Sequence, residues 1–102
     1  MSLHIVETAD LKSFSPNGAS PMRLLDTDRV HVLLVNLEAG QSVAPCQMSV
    51  AVLYYVIEGE GAIHVKGEQG RLQGGSLFAV PAGALRSISA DTRMRVLAVQ
   101  VP

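Results

Sequence analysis

Residues 40–61 read GQSVAPCQMSVAVLYYVIEGEG, and residues 75–86 read GSLFAVPAGALR. The first stretch contains the longest uninterrupted apolar run of the chain, Val50 to Ile57, followed by a Gly59-Glu60-Gly61 turn. Val, Leu, Ile and Tyr dominate that run, and these residue types suit a pleated surface packed against a core. Strand side chains alternate between two faces, so Val50, Val52, Tyr54 and Val56 form one set and Ala51, Leu53, Tyr55 and Ile57 the other. Both sets are apolar. Such a strand needs cover on each side, from a facing sheet and from a second layer or subunit. In the second stretch Pro81 ends an extended run at Ser76 to Val80 and stiffens the entry into a turn at Gly83.

Outward from these stretches, short apolar bursts alternate with Gly, Pro, Asn and Asp along the chain. Leu3 to Val6 is a candidate first strand, and Ala9 to Phe14 has room for one helical turn. Ser13 to Pro21 is a turn-rich loop. Further extended segments are expected at Met22 to Leu25, Val30 to Leu37, Ser49 to Ile57, Ala62 to Lys66, Gly70 to Gln73, Ser76 to Val80, Leu85 to Ser89 and Met94 to Val101. No window sustains helical spacing. Eight or nine short strands separated by turn signals predict an all-β sandwich or barrel.

Composition bounds the rest. With 102 residues and 48% hydrophobic content, one domain spanning 1–102 with one core is expected. The formal net charge is -1, and the nearest approach to a basic patch is Arg93 with Arg95. Nucleic-acid binding, which needs several phosphate-neutralising groups on one face, is not expected. The single cysteine, Cys46, excludes an intrachain disulfide framework and a Cys-only metal cluster, and leans the assignment to the cytoplasm. Val50 to Ile57 is far too short to span a bilayer, and no secretory signal pattern opens the chain, so no membrane association is expected. A mean hydropathy of +0.29 in so small a chain, together with a strand lacking any polar face, points to a homodimer.

The glycine and proline spacing of 40–61 and 75–86, with 62–74 as an intervening hairpin, resembles the two motifs of the cupin family over roughly Val30 to Val101. The resemblance implies a double-stranded β-helix barrel of jelly-roll type, often dimeric. It also implies a metal site of two histidines, a glutamate and a third histidine. Carried onto this chain, those positions hold Cys46, Met48, Val52 and Arg86, and the asparagine that ends the second motif becomes Ala90. A valine coordinates nothing, and an arginine stays cationic and repels a metal. Hard and borderline metals want imidazole and carboxylate ligands, so no metal and no cofactor is expected. A soft ion between Cys46 and Met48 is a residual option that Arg86 opposes. The commoner role for two such sulfur side chains is core filling.

On the same register Arg86 points into the barrel. It either clamps a small acidic ligand by bidentate bonds, pairs internally with Glu58, Glu60 or Asp91, or reaches to the mouth. Tyr54 shares the face of Val52 and is expected to line the same cavity, whereas Tyr55 and Gln47 point away. Phe78 and Met94 read as packing. Cys46 is a nucleophile candidate with Arg86 beside it, but no partner base is evident. His4, His31 and His64 occupy none of the family's metal positions and read as surface or interface residues. Glu58 and Glu60 lie on an exposed turn, and the glycines around Gly67 and Gly74 are hairpin turns rather than a phosphate cradle.

The expected function is metal-independent binding of a small, acidic organic molecule at Arg86, Tyr54, Cys46, Met48 and Val52. Two alternatives stand beside it. One is a metal-independent isomerase or lyase using Cys46, Tyr54 and Arg86; the other is a ligand-silent structural or regulatory dimer.

Overall fold

A computed structural model describes residues 3–101. A single 3-10 turn at Thr8–Asp10 precedes nine strands: β1 (Ser20–Asp26), β2 (His31–Leu37), β3 (Ser42–Cys46), β4 (Val52–Glu58), β5 (Gly61–Val65), β6 (Glu68–Leu72), β7 (Leu77–Val80), β8 (Arg86–Ala90) and β9 (Met94–Gln100). They form two antiparallel sheets, one ordered β1-β2-β9-β4-β7 and the other β3-β8-β5-β6. The protein is all-β with jelly-roll architecture. The core lies between the sheets, where Leu37, Val52, Tyr54, Val56, Val80, Met94, Val96 and Ala98 of the larger meet Leu72, Ile88 and Ala90 of the smaller. Burial alternates strictly along β4 from Val52 to Val56, the signature of one face turned to the core.

The two prolines within strands, Pro21 in β1 and Pro45 in β3, both occupy strands at a sheet edge. Only there does a missing N–H leave no ladder bond unmade. Two glycines are demanded by crowding. A side chain at Gly59, where φ is +97°, would meet the Arg93 carbonyl at 2.3 Å, and one at Gly61 would meet the Ser89 carbonyl at 2.1 Å. From the sequence, both glycines are expected at a positive-φ reversal. Gly61 is instead extended, and its requirement is the close approach of β8.

Several expectations need correction. Leu3 to Val6 forms no strand; the segment lies exposed, with Leu3 85% and Ile5 70% accessible. The helical turn is Thr8–Asp10 rather than within Ala9 to Phe14. The strand expected from Ser49 begins at Val52, because 47–51 form a connection tied across the barrel mouth: Gly83 N–H donates to the Met48 carbonyl at 2.8 Å, and Gln47 donates to the Gly83 carbonyl. Val50 therefore does not belong to the inward face of β4. β3 is not expected from the sequence at all. Its residues, Ser-Val-Ala-Pro-Cys, include a proline and only one β-branched side chain, so it lacks the composition that marks a strand.

The segment before β1 is pinned to the outside of the larger sheet. Arg95, 2% accessible, donates to the Thr8 and Leu11 carbonyls and pairs with Glu58 at 3.4 Å. Asn36 donates to the Leu11 and Ser13 carbonyls at 2.9 and 3.0 Å. Buried polar side chains thus satisfy the carbonyls of an irregular segment that has no ladder of its own.

Candidate functional site

The strand grammar builds one enclosed site. Leu33, Val35 and Leu37 alternate inward along β2, as do Val96 and Ala98 along β9, and Val52 and Tyr54 along β4; together they wall a cavity of about 160 Å³. The smaller sheet supplies Val43 and Cys46 from β3 and Arg86 and Ile88 from β8. Val43 and Cys46, three residues apart, would face opposite ways in a regular strand. A register irregularity between them turns both toward the cavity and sets Cys46 across from Arg86. Met48 reaches the same space from the connection after β3, not from the strand face it was expected to share with Cys46. All five residues picked from the sequence, Cys46, Met48, Val52, Tyr54 and Arg86, line this one cavity.

Arg86 sets the electrostatics. Its side chain is buried, 2% accessible, and among the described residues no carboxylate pairs with it. The sequence leaves an internal partner open, but the acids available for that role are either bound to other arginines or form no ion pair: Glu58 meets Arg95, Asp91 meets Arg71 at 2.6 Å, and Glu60 pairs with none. Nor does Arg86 reach solvent at the mouth. One guanidinium nitrogen, Nη2, donates to the Pro81 carbonyl over 3.5 Å, while Nε and Nη1 have no partner among the described residues. A guanidinium held this way is costly, because no counter-charge among the described residues offsets its lost hydration.

Tyr54, 8% accessible, is stacked on Phe78 with ring centroids 4.9 Å apart. Burial raises its hydroxyl pKa above the ordinary value, against the opposing pull of the Arg86 cation. The phenol therefore stays protonated and remains a donor at neutral pH. The cavity's other polar groups are Cys46, Ser87 and Gln100, and no histidine, aspartate or glutamate lines it. Gln100 and Pro21 were missed in the sequence, although the alternation that places Gln100 beside Ala98 was readable.

The remaining candidates lie elsewhere. Tyr55 faces outward and is 43% accessible, as expected. His31 pairs with Asp26 at the β1–β2 end, and His64 shares a hydrogen bond with Ser89 at 3.1 Å on the smaller sheet. An open cleft of about 380 Å³ adjoins Arg86 and Ser87, lined also by His64, Lys66 and Glu68.

Solved structures share this architecture. A cupin superfamily protein of Desulfitobacterium hafniense is 26% identical, with a TM-score of 0.84 over 91% of this chain and 85% of its own. This is a cupin fold. A Thermus thermophilus protein superposes over 98% of both chains, with a TM-score of 0.91 and 23% identity. Salicylate 1,2-dioxygenase from Pseudoaminobacter salicylatoxidans matches 82% of this chain at 23% identity and a TM-score of 0.78, and the match covers 25% of that enzyme's chain. No family model matches the sequence, and no curated protein matches it. The positions to which the family resemblance assigns metal ligands hold a thiol, a thioether, an aliphatic side chain and a guanidinium, and that donor set does not fit a hard or borderline metal. Among the described residues no three His, Cys, Asp or Glu side chains gather elsewhere as a substitute. No helix among them is long and apolar enough to cross a membrane.

Proposed function

We propose that this cupin binds a small organic acid inside its barrel, without a metal, using Arg86 as the anion clamp. One observation carries the reading: a buried guanidinium with two unpartnered nitrogens borders an apolar cavity. A carboxylate there makes charge-assisted, bidentate bonds and removes the cost of the lone cation. Tyr54 and Cys46 flank the anion, and Met48 and Val52 pack on its apolar body.

The test is thermal stability with small carboxylic acids. An acid at about a hundred times its Kd stabilises the fold by about 2.7 kcal/mol, which in a domain of this size raises Tm on the order of 10 °C. Arg86→Met, which keeps the side-chain bulk, abolishes that rise, whereas prior treatment of the wild type with chelator leaves it intact. An acid-induced rise that survives Arg86→Met sinks the proposal.

A metal-independent isomerase or lyase draws on the same groups, since Cys46 stands across the ladder from Arg86. The absence of a carboxylate or imidazole from the cavity wall leaves it without a general base, and binding is the better-supported reading. We also propose that the chain forms a homodimer through the outer face of β4 and β7. Tyr55 lies opposite Leu77 there and Leu53 opposite Ala79, with Leu53, Tyr55 and Leu77 between 43% and 64% accessible. An uncharged apolar patch is complementary to itself, so a second copy related by a two-fold axis suits it.

A further inference from the structure

We infer that the acid is a monocarboxylate with an apolar body about the size of a benzene ring or a short alkyl chain, and that dicarboxylates and phosphates are rejected. The inference rests on the Arg86 anion-clamp reading and sharpens it by counting charge and volume. Among the described residues the wall of the cavity holds one cation, Arg86, and no anion. One negative charge neutralises it. A second would lie among Leu, Val, Met and Ala side chains with no counter-charge, and such burial is heavily penalised. None of the polar groups available to a second carboxylate, the Tyr54 hydroxyl, the Cys46 thiol, Ser87 and Gln100, carries a positive charge. The adjoining cleft offers no net help, since its Lys66 is offset by Glu68.

Volume sets the other limit. The cavity, about 160 Å³, is the size of engineered apolar cavities of about 150 Å³ that take up benzene. Its inward residues carry few hydrogen-bonding groups, so a sugar acid or a hydroxylated body would be left unsatisfied where an alkyl or aryl body packs.

Calorimetric titration of the wild-type chain at neutral pH tests this with five probes: benzoate, hexanoate, 1-hexanol, glutarate and monomethyl glutarate. Hexanoate and benzoate bind, and hexanol, of similar size but uncharged, binds at least about tenfold more weakly. Monomethyl glutarate binds at least about tenfold more tightly than glutarate, although it is the larger molecule, so the difference reports charge and not fit. Glutarate binding as tightly as its monoester overturns the single-charge inference while leaving the anion clamp standing. Hexanol binding as tightly as hexanoate, or neither hexanoate nor benzoate binding, overturns the clamp and the inference together. Arg86→Met brings hexanoate down to the affinity of hexanol; a variant that keeps the difference assigns the charge preference to some other group and overturns the inference.

Discussion

Tyr54 illustrates how one residue's chemistry depends on what its strand faces. Its neighbour Tyr55 is the same side chain one position along β4, yet it lies half in solvent. Burial raises the Tyr54 pKa, so in alkaline solution the folded chain keeps a proton that the unfolded chain has already released. The stabilisation is complete below about pH 10 and is lost as pH rises through the folded-state value. Ultraviolet titration of tyrosinate should therefore show a late-ionising component that Tyr54→Phe removes and Tyr55→Phe leaves in place. A late component that persists in Tyr54→Phe would contradict the burial argument. The sequence was enough to assign the two tyrosines to opposite faces, because strand alternation is local. It was not enough to say whether Arg86 had an acid partner, because Glu58, Glu60 and Asp91 are drawn to or from it only by the packing of distant strands.

At the scale of elements, β4 and β9 announced themselves through β-branched and aromatic content, whereas β3 did not. β3 holds Pro45 and a ladder irregularity, and it exists because β8 supplies its partner groups. The tight turn around Gly59 to Gly61 is set by β8 and β9 crossing close behind it. Gly61→Ala should cost about 1–3 kcal/mol, since the obstructing atom is the Ser89 carbonyl and cannot swing aside as a side chain would. Gly40→Ala serves as the comparison: it meets no neighbour within 4 Å, so its cost comes from its positive φ alone. Thermal or urea unfolding of the two variants should place Gly61→Ala lower; the reverse order would mean that β5 and β8 are further apart than described.

For the whole molecule, the apolar outer face is the surface through which we propose that copies associate. The expectation that the strand of Val50 to Ile57 needs cover on both sides is met by the chain on the inner side, while Leu53 and Tyr55 remain part-exposed. The segment before β1 covers the far end of the sheet, around Asn36 and Arg95, and Leu53 and Tyr55 remain accessible. Replacing Tyr55 with Glu or Leu77 with Lys should convert a dimer to a monomer in sedimentation or light scattering, with the acid-binding affinity kept, because neither residue lines the cavity. A wild-type chain that sediments as a monomer at high concentration would refute the dimer.

By itself the sequence determined the all-β class, the alternating faces and the turn positions. All of these follow from residue type and local periodicity. Only the tertiary structure decided that Cys46, Met48, Val52, Tyr54 and Arg86 border one cavity, that a ladder irregularity brings Cys46 opposite Arg86, and that no acid among the described residues pairs with the guanidinium. Those outcomes depend on which strands pair and in what register, and pairing is fixed by burial across the whole barrel, not by any stretch of chain taken alone.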